Sequence, residues 1–81
     1  MIIGKQFNGA KIIGITRDVY IGYTQDNLGN SIVFELDVIL SRPIKRIDGM
    51  THKIKLYNIV GCSPLFLSNR LTDTKPRIYH K

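Results

Sequence analysis

The 81-residue sequence has no tryptophan, one cysteine, one alanine and no long apolar run. The single cysteine, Cys62, cannot form an internal disulfide, and no Cys-x-x-Cys or Cys/His spacing suited to zinc is present. We therefore expect a reduced intracellular protein without a metal or other cofactor. Because alanine is scarce while isoleucine, valine, tyrosine and threonine are plentiful, the composition predicts an all-β or mostly β chain.

No segment approaches the roughly 20 apolar residues that a membrane-spanning helix needs. The N-terminal MIIGKQFNG has two consecutive strong hydrophobes before Gly4, far short of the apolar region of a signal peptide. We expect a cytoplasmic protein that does not enter a membrane. The length allows one domain, which we place at residues 1–71 and follow with a basic C-terminal arm at residues 72–81.

The stretch SIVFELDVIL, residues 31–40, has the longest two-residue alternation in the chain. An amphipathic helix is the competing interpretation, but its apolar residues would recur every three or four positions. The alternation predicts a half-buried strand around which the other strands are organised. Its inward face would carry Ile32, Phe34, Leu36, Val38 and Leu40. Its outward face would carry Ser31, Val33, Glu35, Asp37 and Ile39.

The segments before this central strand also have strand character. Ile2–Phe7 is either a short edge strand or a poorly ordered lead-in, and it ends at the turn-favouring Asn8-Gly9 pair. Residues 11–24 predict two strand segments, Lys11–Arg17 and Asp18–Thr24, with Ile13 and Ile15 on one face and Val19, Ile21 and Tyr23 in step with them. Within them, Gly14 and Gly22 predict bulges, bends or close approach of another backbone. The turn-forming residues 25–30 then close a hairpin into the central strand.

A second hairpin is predicted after the central strand. Ser41-Arg42-Pro43 should end that strand, because proline cannot donate a ladder hydrogen bond. Asp48-Gly49-Met50-Thr51 should then join strands at residues 44–47 and 52–60. The outer face of the return strand would carry Lys53, Lys55, Tyr57 and Ile59. If this strand pairs with the central one, Glu35 and Asp37 would lie opposite the two lysines.

The chain changes character after Gly61. Ser63 is suited to cap a helix, and Leu65–Leu71 would form one or two helical turns. The remaining residues predict an extended, partly mobile arm. The predicted architecture is a strongly bent antiparallel sheet or small barrel of five to six strands, SH3-like or OB-like in character, with a short C-terminal helical turn.

The basic residues are concentrated in the second half of the chain. Residues 1–40 contain three basic and four acidic side chains, whereas residues 41–81 contain nine basic and two acidic ones. Such an asymmetry favours an anionic partner, although net charge can also serve solubility alone.

The sequence shows no catalytic signature, and we expect a protein that is not an enzyme. Cys62 with His52 or His80 could form a nucleophile and base, but a cysteine after an apolar strand usually serves packing. Glu35 and Asp37 could form a carboxylate pair, but a solvated face neutralised by nearby lysines is the simpler interpretation. The glycines do not have the spacing of a phosphate-binding loop.

We therefore predict a non-enzymatic binding module for single-stranded or structured RNA or DNA, acting through the second hairpin and the arm. An alternative is an accessory factor or phage-type inhibitor that docks on an acidic surface of a nucleic-acid-handling machine, in the host cytoplasm if a bacteriophage encodes it. A third class is a structural subunit with Ile39 and Ile59 exposed at an interface. We expect a monomer or small homo-oligomer. The predicted contact residues are Arg42, Lys45, Arg46, Lys53, Lys55, Tyr57, Lys75, Arg77 and Tyr79.

Overall fold

The computed structural model describes residues 2–26, 29–61 and 69–80. These residues form one five-stranded antiparallel sheet whose strands follow sequence order. The strands are β1 (Gln6–Phe7), β2 (Ala10–Asp26), β3 (Gly29–Arg46), β4 (Gly49–Gly61) and β5 (Asn69–Thr72). The all-β prediction is confirmed. None of the described residues forms a helix, so this part of the chain has no helix that could cross a membrane.

Positive φ angles occur at or beside the three predicted turns, but Gln25, Asp26, Gly29, Asn30 and Gly49–Thr51 belong to strands. Asn8 and Gly9, with φ angles of 48° and 82°, link β1 to β2. Gly29, with φ of 118°, opens β3 opposite the end of β2, and Gly49, with φ of 114°, opens β4 opposite Arg46. Glycine suits these positions because side chains disfavour positive φ.

The predicted pair of segments at residues 11–24 is one continuous strand, β2, with three register shifts against β3. Two of the shifts lie at Gly14 and Gly22, which confirms the predicted irregularities there. Each shift inserts one extra residue into β2 and reverses the inward and outward alternation that follows it. The predicted common face of Ile13 and Ile15 is therefore wrong: Ile13 is 58% exposed, whereas Ile15 is half-buried and the neighbouring Ile12 is fully buried.

Pro43 does not end the central strand, contrary to the prediction. β3 continues to Arg46, and Pro43 lies inside a register shift between Ile39 and Ile44. Here four residues of β3 face one residue of β4, His52, so the irregularity accommodates a residue without a backbone N–H. Beyond this irregularity, residues 44–46 pair again with β4, so β3 and β4 form one long hairpin.

The inward face of the central strand is confirmed for Leu36, Val38 and Leu40, with Phe34 packed against them, whereas Ile32 is half-buried and belongs to neither core. Leu36 is fully buried, and the side chains around it form the first core. This core consists of Ala10, Ile12, Leu36, Val38, Leu40, Ile44, Ile54 and Leu56. Burial of these aliphatic side chains is the main stabilising contribution of the sheet.

The opposite face of the sheet is also covered in part, which the sequence did not predict. Val33, Tyr57 and Ile59 form a second core, against which Ile21 and Ile78 pack. Ile59 is therefore buried and Ile39 half-buried, so the interface expected from exposed Ile39 and Ile59 is wrong for Ile59. The covering side chain, Ile78, comes from the segment predicted to be an extended basic arm.

The helix predicted at Leu65–Leu71 has two different outcomes. Ser63 and residues 65–68 lie outside the described residues. Asn69–Leu71 belong to β5, which pairs with β4, so the prediction is wrong at these three positions. The described sheet is not closed into a barrel. Beyond β5 the chain reaches the other side of the sheet and forms one bridge, between Tyr79 and Tyr23 of β2.

Candidate anion-binding groove

An open groove of about 790 Å³, the hairpin groove, lies along the β3–β4 hairpin. Asp48, Asp73 and several apolar atoms also contribute to its lining. The groove brings together five of the nine predicted contact residues. These are Lys45, Arg46, Lys53, Lys55 and Tyr57.

Strand alternation places Lys53 and Lys55 on one face of β4. The register sets Lys55 opposite Asp37, as predicted, but it sets Lys53 opposite Ile39. Lys53 therefore faces no acid across the ladder. Lys45 lies opposite Met50 at the far end of the same hairpin. Among the described residues, neither Lys45 nor Lys53 forms an ion pair.

Glu35 lies at the centre of a charge cluster that spans three strands. Arg17 Nη1 of β2 donates a hydrogen bond to Glu35 Oε1, and Lys55 Nζ of β4 lies 3.5 Å from the same oxygen. The hydrogen bond from Arg17 is the main cause of a lowered pKa for the Glu35 carboxyl, to which Lys55 also contributes. Glu35 is thus an ionised partner of two cations, and Lys55 is partly neutralised.

Arg17 was not a predicted site residue, because sequence separation hides its proximity to Glu35. A register shift between Ile15 and Arg17 sets Arg17 opposite Asp37, which is two residues from Glu35 along β3. A sequence cannot locate such a shift unless a glycine or proline marks it. The alternative that Glu35 and Asp37 act together as a carboxylate pair gains no support, because Glu35 forms ion pairs with Arg17 and Lys55.

Arg46 has an acidic partner that the sequence did not suggest. Its Nη1 donates a hydrogen bond of 2.8 Å to Oδ2 of Asp73, the first residue after β5. This hydrogen bond is the main cause of a lowered pKa for the Asp73 carboxyl. The pair joins the end of β3 to the chain beyond β5. Within the hairpin groove, Arg46 is therefore balanced by Asp73, whereas Lys45 and Lys53 have no such partner in the described part of the chain.

The other predicted basic residues do not line the hairpin groove. Arg42 donates a hydrogen bond to the carbonyl oxygen of Gly9, at the turn between β1 and β2. Lys75 lines a second concavity of about 480 Å³, together with Tyr20, Glu35 and other residues. The guanidinium carbon of Arg77 lies 5.5 Å from the ring centroid of Tyr79. The nine predicted residues are thus divided among several surfaces.

Neither predicted stacking residue presents a free ring. Tyr57 is only 7% exposed within the second core, and the ring of Tyr79 stacks on Tyr23 with a centroid distance of 5.5 Å. Among the described residues, Tyr20 has an exposed aromatic side chain, at 53% exposure, with its ring edge-to-face against Phe34. The register sets Tyr20 opposite Phe34 after the shift between Ile15 and Arg17, and no signal in the sequence marks that shift.

The described residues contain no group of three or more His, Cys, Asp or Glu side chains that could hold a metal ion. No protein-family model, curated protein or solved structure matches this chain.

Proposed function

We propose that this protein is a non-enzymatic module that binds nucleic acid, with the phosphate backbone held in the hairpin groove. The observation that carries the proposal is the position of Lys45 and Lys53. Both line one open groove, and neither forms an ion pair among the described residues. Exposed ammonium groups of this kind bind phosphates with release of counterions, which is the main source of sequence-independent affinity.

The acids near the groove do not cancel this charge. Asp73 is paired with Arg46, and Glu35 is shared between Arg17 and Lys55. Among the described residues that line the groove, Asp48 is an acid without an ion pair. Its single negative charge is outnumbered by the two positive charges of Lys45 and Lys53. A net positive groove supports an anionic ligand, and its openness allows a polymer to pass along it rather than end in it.

Tyr20 supports single-stranded nucleic acid as the ligand class. Lys55 lines the hairpin groove, and Glu35 lines the second concavity. Because Lys55 Nζ lies 3.5 Å from Glu35 Oε1, the two concavities adjoin. A strand with its phosphates on Lys53 and Lys55 could continue past Glu35 and stack one base on Tyr20. Aromatic stacking with an adjacent basic track is the usual mode of single-strand binding.

The proposal extends to the barrel character of the fold. The bridge between Tyr23 and Tyr79 links β2 to the chain that follows β5, on the opposite edge of the sheet. We propose that this bridge gives the sheet the curvature of a small SH3-like or OB-like barrel. Such barrels commonly present a curved face to oligonucleotides.

A salt titration with matched charge variants tests the proposal. Fluorescence anisotropy would measure binding of 20-nucleotide single-stranded RNA and DNA by wild type, Lys45→Gln/Lys53→Gln and Lys5→Gln/Lys11→Gln. The two variants lose equal charge, and Lys5 and Lys11 are exposed outside the groove. Each phosphate contact contributes about 0.7 to 0.9 to the slope of log affinity against log salt. The groove variant loses two such contacts, so its slope should be smaller than that of wild type by roughly 1.4 to 1.8.

Two results would contradict the proposal. Absence of wild-type binding at about 50 mM salt would exclude nucleic acid as a ligand, because phosphate contacts are strongest at low salt. An acidic protein surface would then become the leading partner. Equal losses in the two variants would show that the binding follows net charge and does not use the hairpin groove.

A further inference from the structure

The tip of the β3–β4 hairpin exposes two large apolar side chains. Ile47 is fully exposed, at 108% of its reference area, and Met50 is 64% exposed. Ile47 and Asp48 form the two-residue turn between Arg46 and Gly49. Nothing in the first or second core requires apolar residues at this position, since neither side chain packs against these cores.

We propose that Ile47 and Met50 form a wedge that enters between adjacent stacked base pairs of a double-helical segment, an inference that rests on the proposed function. Proteins that kink nucleic acid insert apolar side chains in this way, and the deformed helix then contacts more of the protein surface. A tight hairpin with Ile47 at its apex has the narrow shape that such insertion needs. The ligand would be structured nucleic acid, with the single-stranded track of the second concavity beside it.

The cations of the hairpin support this assignment. Lys45 lies directly opposite Met50, and Lys45 and Ile47 both line the hairpin groove, so an ammonium group lies beside the wedge. A phosphate held by Lys45 would bring the adjacent base step to the tip. Lys53 extends the positive charge from the tip along β4.

A lipid surface fits the same tip less well. Lys53 and Lys55 are four and six residues from Gly49, which places them roughly 13 and 20 Å from the tip along an extended strand. These distances exceed the Debye length of about 8 Å at physiological salt, so a membrane touched by the tip would leave both lysines without a partner. A helix lying along the hairpin groove would contact both. Asp48 also places a negative charge at the tip, which disfavours a continuous anionic surface.

The test compares the tip with matched exposed apolar residues elsewhere. The variants are Ile47→Ser/Met50→Ser and the control Ile3→Ser/Ile13→Ser, whose side chains are 42% and 58% exposed in wild type. All four positions are exposed, so both variants should fold, which circular dichroism would verify. The probe is a 20-base-pair duplex with a central 2-aminopurine and a donor and acceptor dye at its ends.

Wild type and the control should raise the 2-aminopurine fluorescence by unstacking and should shorten the distance between the dyes. The tip variant should lose most of both signals and about tenfold in affinity, from the loss of two buried apolar side chains. Its salt slope should stay unchanged, because its phosphate contacts remain.

Wild-type binding without unstacking or shortening would overturn the wedge and leave the proposed function intact. Absence of all nucleic-acid binding would overturn both. Vesicles of phosphatidylserine and phosphatidylcholine provide the second arm. The wedge would be overturned, and the tip assigned to a membrane, by three results together. Wild type floats with these vesicles, the tip variant does not, and wild type leaves the duplex undistorted.

Discussion

Tyr23 of β2 and Tyr79 near the C-terminus exchange two backbone hydrogen bonds. The N–H of Tyr79 donates to the carbonyl of Tyr23 at 2.8 Å, and the N–H of Tyr23 donates to the carbonyl of Tyr79 at 3.1 Å. Their rings stack with an interplanar angle of 26°. This contact holds Ile78 against the second core, so the C-terminal segment is part of the fold.

Removal of residues 75–81 should therefore lower the stability of the domain. The deletion would expose Val33 and Ile59, which Ile78 covers, and would remove the Tyr79 bridge. We expect a loss of roughly 2 kcal/mol in the free energy of unfolding, the scale for burial of one large aliphatic side chain. Urea denaturation would measure it. An unchanged midpoint would show that the segment does not stabilise the sheet.

Gly22→Ala should be more destabilising than Gly29→Ala. Both glycines have positive φ, but a Cβ on Gly22 would lie 2.5 Å from Ile78 Cγ2 and 2.6 Å from the Tyr79 carbonyl oxygen, whereas Gly29 has no atom within 4 Å. The φ strain alone costs roughly 1 to 3 kcal/mol at either site. Thermal unfolding should show a further loss of about 2 kcal/mol at Gly22, from displacement of the C-terminal segment. Equal losses would contradict this packing.

Leu36→Asp should unfold the domain, while Asp37→Asn should be mild. Leu36 is fully buried in the first core, and an unpaired buried carboxylate costs several kcal/mol against a total stability of about 5 kcal/mol. Asp37 lies on the opposite face and forms no ion pair among the described residues. Circular dichroism would distinguish the two variants. A folded Leu36→Asp protein would refute the assignment of faces.

Glu35→Gln should reduce the loss of stability in acid. The pKa of Glu35 is lowered from its ordinary 4.5, chiefly by the hydrogen bond from Arg17. The ionised carboxylate therefore stabilises the fold above that pH, and the contribution is lost as pH falls through the lower pKa of the folded state. Urea midpoints between about pH 5 and pH 3 should fall less steeply for the variant than for wild type. Some slope should remain, because the pKa of Asp73 is also lowered.

Asp18→Asn is the control for that measurement. Asp18 is exposed and forms no ion pair among the described residues. Its variant should follow the wild-type dependence on pH. The same flattening in both variants would mean that loss of any carboxylate suffices, and that the cluster with Arg17 has no special effect.

Lys45→Gln and Arg46→Gln/Asp73→Asn should affect nucleic-acid binding differently. The first removes an unpaired cation and should reduce the salt slope by roughly 0.7 to 0.9. The second removes a matched ion pair, so the charge of the hairpin groove is unchanged and affinity should stay near wild type. Its cost in stability should be at most about 1 kcal/mol, as for other exposed pairs. Anisotropy titrations at several salt concentrations would compare them. A larger binding loss in the double variant would identify Arg46 as the phosphate contact.

The central strand, most of its inward face and the positions of the turns were predictable from local sequence patterns. Alternation over residues 31–40 places Leu36 in the first core, and Gly49 lies where a two-residue hairpin needs positive φ. Lys53 and Lys55 were assigned to one face for the same reason. These features follow from backbone geometry within a few residues, which any short segment carries in its own pattern.

The alternation of side chains along β2 and the residues that cover the outer face depended on contacts between distant segments of the chain. Shifts within β2 moved Ile12 inward, and Ile78, far along the chain, buried Ile59. The ion pair between Arg46 and Asp73 likewise joins segments that are distant in sequence. Strand periodicity fixes which side chains share a face, but the segments that pack on that face come from elsewhere in the chain. Their packing therefore determines which of those side chains remain exposed to bind a partner.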